Sequence, residues 1–261
     1  MSEVTSKDGT RIAFDRLGDG PELVLVDGAL CSRAFGPMGP LAALLAPHFA
    51  VLTYDRRGRG DSGDTLPYSV EREVEDIEAL IAEAGGSAFI YGTSSGAALA
   101  LEAASRLPTP ITKLALYEPP YTLDAEGIQR FNEYRMQLLE LLAAGRRGDA
   151  VELFMRLVGA SDGGVAGMRQ APVWPLFEAA APTLAYDADA LGDSSVPTER
   201  AASVTIPTLV MAGGETFPFI RSAAQALADA VPHARYRTLE GQTHEVIDEA
   251  IAPVLEEFFA G

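Results

Sequence analysis

The sequence predicts an α/β fold: a mostly parallel central sheet flanked by helices, with a helical lid inserted into it. Three observations predict this. Short apolar segments without polar alternation take turns with helical stretches over the first 120 residues, as expected for strands buried on both faces and joined by crossover helices. Convincing strand signals stop between residue 121 and about residue 200. The alternation resumes after Ile206-Pro207. The chain is therefore read as a core of residues 1–120 and 201–261 and a helical lid of residues 121–200.

The elements follow in order. Residues 11–16, 22–26 and 49–54 read as strands, the second closed by Asp27-Gly28 and the third by Asp55-Arg56-Arg57-Gly58. Residues 41–45 look helical, and 71–84 strongly so, because Val74, Ile77, Leu80 and Ile81 share one face. A buried strand at 88–91 leads into an alanine-rich helix at 96–106. The strand at 111–117 ends at Glu118-Pro119-Pro120. In the lid, 132–144, 150–157 and 174–181 read as helices, and the Gly-rich stretch 159–167 reads as a break and a candidate hinge. A strand at 208–212, a helix at 220–230, a strand at 234–239 and a helix at 249–259 complete the chain.

Composition narrows the function classes. The formal net charge of −17 repels nucleic acid phosphates and anionic lipid headgroups, so neither is an expected partner. One cysteine, Cys31, allows no intrachain disulfide and no cysteine-based zinc site. The opening residues lack a basic start and an apolar run, and no apolar stretch is long enough to span a membrane. A soluble, cytoplasmic monomer or homodimer acting on a small molecule is expected.

Gly92-Thr93-Ser94-Ser95-Gly96 fits G-x-S-x-G, with a buried strand before it and a helix after it. Small residues permit a sharp turn that lifts the Ser94 hydroxyl above the sheet. Ser95 lies one place off the motif and suits an oxyanion donor better. A serine nucleophile needs a base that titrates near neutrality. Of His48, His233 and His244, the first two fall in turns at the opposite sheet edge. His244 follows the last strand, at the edge where open α/β sheets gather their catalytic groups.

The acid has two candidates. Glu215 follows the strand after the lid, and Glu118 ends the strand before it. Asp55-Arg56-Arg57-Gly58-Arg59-Gly60-Asp61-Ser62 resembles the D-x-R-G-x-G-x-S turn of the α/β-hydrolase superfamily, and the likeness extends over nearly the whole chain. It implies the α/β-hydrolase fold, with the lid inserted after the sixth strand. More narrowly, Asp27-Gly28, Ser94-Ser95-Gly96 and Glu118, 24 residues beyond Ser94, resemble the zearalenone-type lactone hydrolases. That likeness implies a Ser94–His244–Glu118 triad and favours Glu118 over Glu215.

The oxyanion hole is expected to use the N–H of Ser95 and that of Gly28 or Ala29. Asp27 departs from the superfamily's frequent His-Gly and is expected to point away, bonded within its own turn. The lid offers Phe131, Tyr134, Met136, Phe154, Met155, Trp174 and Phe177, most of them as packing. Trp174, with Leu30 and Tyr121, is expected to contact substrate. Arg56, Arg57 and Arg59 are read as structural ion pairs rather than as a site for an acidic substrate, and Cys31 as part of a pocket wall. No metal or organic cofactor is implied. The function expected is hydrolysis of an apolar or aromatic ester or lactone. Carbon–carbon bond hydrolysis on the same triad and a slow-turnover ligand receptor are the alternatives.

Overall fold

The computed structural model describes residues 2–261. Eight strands form one sheet in the order β1-β2-β4-β3-β5-β6-β7-β8: β1 Ser2–Thr5, β2 Arg11–Leu17, β3 Glu22–Val26, β4 Ala50–Tyr54, β5 Ala88–Thr93, β6 Ile111–Tyr117, β7 Thr208–Gly213 and β8 Ala234–Leu239. The first two strands pair antiparallel at one edge, and β4 through β8 run parallel. Strand β1 was not expected. It is four residues long with only Val4 buried, so it carries almost no apolar pattern and is held by pairing with β2.

Alternate side chains of each parallel strand enter two cores. Val24, Leu52, Ile90, Leu114 and Val210 pack with helices α2 (Val70–Glu83), α3 (Ser95–Arg106) and α10 (Pro218–Ala230). Leu25, Val51, Tyr91, Ala115 and Met211 pack with α1 (Met38–Leu45) and α11 (Asp248–Ala260) on the other face. This two-sided burial is why the strands read as continuous apolar runs.

Between β6 and β7 the chain forms α4 (Ala125–Ala143), α5 (Arg147–Leu157), α6 (Asp162–Arg169), α7 (Trp174–Ala180), a short 3-10 turn, α8 (Leu184–Leu191) and α9 (Thr198–Ser203). Helix α4 begins well before the apolar periodicity, because Asp124 caps it by accepting the Gly127 N–H at 2.7 Å. Most of the Gly-rich stretch is helical rather than a break. Its glycines 163, 164 and 167 lie inside α6, which Ser161 caps through the Gly164 N–H at 3.2 Å. Helices α8 and α9 were also missed. Helix α8 is short and nearly all buried, so it shows no one-sided stripe.

The 55–62 turn is a structural knot. The Asp55 carboxylate accepts the N–H groups of Arg33 at 2.7 Å and Asp61 at 2.9 Å. The Ser62 hydroxyl donates to the Asp55 carbonyl at 2.6 Å and accepts the Ala13 N–H at 2.9 Å. Arg57, fully buried, pairs bidentately with Asp76 of α2 at 2.7 and 2.8 Å.

The strand order reverses at β3 and β5, which lie side by side while their following segments diverge. Such a switch point opens a crevice at the carboxyl ends of the strands. Here the two chains nearly touch: a Cβ on Gly96 would lie 2.4 Å from the carbonyl oxygens of Val26 and Asp27. Gly96→Ala should therefore lower stability by about 3 kcal/mol. Gly167→Ala, on an open helix face with nothing within 4 Å of the added carbon, should be neutral or stabilise by up to about 1 kcal/mol. Urea titration of both variants checks this; equal midpoints would refute the close approach.

Candidate active site

Strand β5 delivers Ser94 into a strained turn, with φ 54° and ψ −129°. The turn is held by the Ser94 N–H donating to the Tyr117 carbonyl at 2.9 Å. It also needs a glycine at 92, where a Cβ would lie 2.5 Å from the Gly96 carbonyl oxygen. Strain of this kind persists only where surrounding contacts enforce it. Its result is a hydroxyl standing clear of the strand, at the head of α3.

His244 lies on the loop after β8, half-buried. Its Nε2 stands 3.1 Å from the Ser94 Oγ, and its Nδ1 is 2.6 Å from the Glu118 Oε2. A carboxylate only accepts, so Nδ1 carries the proton toward Glu118 and Nε2 is left to accept from Ser94. Two contacts brace the histidine loop. The Tyr117 hydroxyl donates to the Thr243 carbonyl, and the Glu215 N–H donates to the Gln242 carbonyl at 2.8 Å.

Glu118 is fully buried and, like Ser94, has positive φ, 47°. Its Oε1 accepts the Gly213 N–H at 2.7 Å, and its Oε2 also accepts the Thr216 hydroxyl at 3.0 Å. Glu215 is exposed and contributes only its backbone to this corner. Of the two carboxylate candidates, the structure brings Glu118 to the histidine. Thr216, which sequence reasoning missed, sits on the post-β7 segment that Glu215 was considered for. His48 and His233 are exposed and take no part.

The head of α3 and the turn after β3 flank Ser94, and a Cβ on Gly28 would lie 3.2 Å from the Ser94 Cβ. Ser95 is the first residue of α3, so its N–H has no helical partner. In the turn after β3, the Gly28 N–H is already taken by the Asp27 carboxylate, at 2.9 Å. Of the two residues expected there, Ala29 lines the cavity. Asp27 is bonded inside its own turn, away from the hydroxyl. Burial pushes its carboxyl up to about 6, against the Gly28 N–H, Cys31, Arg59 and Arg56, which favour the anion. Burial likewise raises the Cys31 thiol far out of the reactive range.

A cavity of 350 Å³ opens onto Ser94, Ser95, Ala29 and His244, a volume suited to a small organic ligand. Phe131, Tyr134 and Phe154 of the expected lid residues line it, with Leu157, Leu184, Leu191, Phe217 and Ile220. The three expected substrate contacts do not. Trp174 is buried among the inserted helices with Arg169 over its ring at 5.7 Å. Tyr121 is buried beneath the insertion, its hydroxyl unpartnered. Leu30 is buried, and its φ of 61° marks the turn after β3. Prolines beside Trp174 and proximity in sequence to the turns do not encode which way a side chain points.

Asp187 of α8 also reaches this cavity, and no sequence signal marked it. It accepts from Arg56 at 2.7 Å, Arg59 at 2.7 Å and the Ser95 hydroxyl at 2.8 Å. Burial works to raise its pKa, but Arg59, Arg56 and Ser95 outweigh that and hold it below the ordinary carboxylate value.

Asp27 gives a pH signature. A folded-state carboxyl raised to about 6 from 3.8 keeps its proton longer than in the unfolded chain. Its contribution to stability is therefore largest below pH 4 and is lost as pH rises through 6. Asp27→Asn is indifferent to this proton. The stability of the wild type relative to Asp27→Asn should fall by about 3 kcal/mol between pH 4 and pH 7. Chemical denaturation of both proteins across that range checks it; a constant difference would place the Asp27 proton elsewhere.

The pattern describing the alpha/beta hydrolase family matches residues 23–257. The crystal structure of an alpha/beta hydrolase from Sphaerobacter thermophilus DSM 20745 is 56% identical, with TM-score 0.89 over 99% of this chain and 100% of that one. An enol-lactonase from Burkholderia xenovorans LB400 shares the fold, at 22% identity and TM-score 0.69 over the full length of both chains. Among curated proteins, the uncharacterized hydrolase YraK of Bacillus subtilis (strain 168) is 30% identical over 57% of this chain and 55% of its own length; the chain spans about half the length of the curated relatives it matches. Sheet order, site placement and family pattern agree, and the chain belongs to the alpha/beta hydrolase family.

Proposed function

We propose that this hydrolase cleaves carboxylic esters or lactones through an acyl-enzyme on Ser94. The observation that carries this reading is the unbroken chain Ser94 Oγ, His244 Nε2, His244 Nδ1, Glu118 Oε2, at 3.1 and 2.6 Å across its two hydrogen bonds; the reading assigns the oxyanion hole to the N–H groups of Ser95 and Ala29, residues that line the same cavity.

His244 takes the Ser94 proton on Nε2 as Oγ attacks the substrate carbonyl carbon. The charge on the carbonyl oxygen is received by the two N–H groups. Glu118 fixes the tautomer and stabilises the imidazolium, and Gly213 and Thr216 fix Glu118. The carbon–oxygen bond breaks, and the leaving alkoxide takes the proton from Nε2. A water then attacks the acyl carbon, His244 accepts its proton, and the collapse returns that proton to Ser94 and releases the acid. With a lactone the alcohol stays tethered to the acyl group, so water competes with reclosure. The inserted helices act as a lid. Their Phe131, Tyr134, Phe154 and Leu157 suit an apolar acyl or alcohol part.

Turnover of p-nitrophenyl acetate, p-nitrophenyl butyrate and a resorcylic lactone tests this. Ser94→Ala and Glu118→Gln should each lower kcat by about 10⁴-fold, and Glu215→Gln should stay within about twofold of wild type. A damaging Glu215→Gln with a tolerated Glu118→Gln would overturn the acid. A wild type that binds the lactone but turns over none of the three would make the protein a receptor.

A further inference from the structure

Arg56 and Arg59 occupy two of the three unspecified positions of the D-x-R-G-x-G-x-S turn. Both are nearly inaccessible to solvent. Arg59 spends its guanidinium on three partners. Its Nη1 donates to the Gly28 carbonyl at 2.5 Å, its Nη2 to the Asp187 carboxylate at 2.7 Å and its Nε to the Thr183 hydroxyl at 3.0 Å. The Gly28 carbonyl and the Ala29 N–H are two ends of one peptide group. A cation bonded to the oxygen draws charge from the nitrogen and makes the N–H a stronger donor, the more so out of contact with water. That N–H is the one the turn leaves free, since the Asp27 carboxylate takes the Gly28 N–H.

The insertion supplies what holds Arg59 in place. Asp187 on α8 and Thr183 just before it grip two of its three donor groups. Asp187 also accepts the Ser95 hydroxyl at 2.8 Å, so one carboxylate touches one wall of the oxyanion hole directly and the other through Arg59. Arg56 completes the set. It donates to Asp187 at 2.7 Å and to the Asp27 carbonyl at 3.3 Å, and pairs bidentately with Glu73 at 2.8 Å. Two cations thus face two anions, a neutral cluster.

The geometry points to Arg59 as a positioning residue that polarises the Gly28–Ala29 peptide toward the oxyanion, held there by Asp187 of the insertion. This rests on the serine-hydrolase reading above. The competing role is structural, Arg59 serving only to neutralise Asp187. The two differ in the transition state. A polarised donor favours the negatively charged oxygen over the neutral carbonyl, so its loss falls on kcat. Charge balance is restored when both charges are removed together.

Wild type is first exposed to a fluorophosphonate, with labelling at Ser94 and p-nitrophenyl butyrate turnover followed. Failure of both would sink the serine-hydrolase reading and this inference with it. Given an active wild type, kcat, KM and Ki for a trifluoromethyl ketone, whose adduct carries the oxyanion, are measured for Arg59→Gln, Arg59→Lys, Asp187→Asn and Arg59→Gln/Asp187→Asn. Thermal melting is followed in parallel. Arg59→Gln should lower kcat by about 10- to 100-fold, below the loss of a whole oxyanion donor, with KM within about threefold. The Ki should rise by the same factor as kcat falls. Arg59→Lys keeps a cation and should retain more kcat than Arg59→Gln, a comparison that survives poor folding of the neutral variant. The double variant should stay impaired. Recovery of wild-type kcat in the double variant, or a loss of kcat with no change in Ki, would reduce Arg59 to charge balance. Arg135→Gln, which breaks an ion pair to Asp189 within the insertion, is the control and should match wild type.

Discussion

At Gly96 the first turn of α3 is pressed against the ends of β3, with no room for a single added carbon beside the carbonyls of Val26 and Asp27. The remaining features of the site follow from that contact. It sets the head of α3 beside the turn after β3, so two distant segments meet at Ser94. It forces the chain at Ser94 into positive φ, because the strand must reverse into the helix within one residue. The reversal points the hydroxyl at the loop after β8. Had α3 stood one side-chain diameter further out, the two segments proposed to supply the oxyanion donors would be apart. The energy for this compression comes from ordinary burial: nearly every residue of α3 is enclosed, and apolar burial of that extent outweighs a strained dihedral.

The charges behind the site obey a different logic. Burying arginines is expensive, and well-packed apolar residues of like volume often do as well or better for stability. Stability alone is therefore a weak reason for Arg56 and Arg59 to be where they are. What an arginine offers beyond a leucine is direction: a planar fork that reaches carbonyl and carboxylate together. Arg57 uses that fork to tie the turn to α2. Arg56 and Arg59 join the turn after β3, α2, α3 and α8 in one neutral cluster. The aromatic stack of Tyr68 on Tyr186, centroids 3.7 Å apart, closes the same seam, with the Tyr68 hydroxyl on Glu73 at 2.9 Å.

How legible this was in the sequence depends on the range over which each feature is encoded. The elbow, the parallel strands and the histidine loop are local patterns, and residues 88–117 alone show strand, turn, helix and strand. Glu118 was favoured over Glu215 through a family likeness. Its physical reason, three donors converging on one carboxylate, is invisible in one dimension. Asp187 and Thr216 were missed because each matters only through partners far along the chain, and Asp187 stands in a buried helix with no stripe to betray it. The Gly-rich segment misled in the opposite direction. Glycine lowers helix propensity by about 1 kcal/mol, yet a serine cap and packing against α5 carry α6 through three of them. Trp174 misled as well, since a large side chain between prolines reads the same whether it faces a ligand or a neighbouring helix.

Placing the acid on β6 rather than β7 has consequences for the strand that gives it up. With no carboxylate directed at the histidine from this strand, the end of β7 and the segment after it pack their backbone on the histidine loop, and Gly213 does so with no space for a side chain beside the Gln242 carbonyl. The same segment still serves the acid, through the Gly213 N–H and the Thr216 hydroxyl. Glu118 meanwhile becomes the last residue before two prolines and the insertion. The acid and the root of the insertion are thus one rigid stretch, and α8 adds a second fixed point through Asp187. The insertion is therefore tied to the core at Glu118 and again at Asp187, through Arg56, Arg59 and Ser95. Phe154, Leu157 and Val158 line the cavity from between those two points, and changes there would alter the pocket wall without touching the hydrogen bonds behind Ser94.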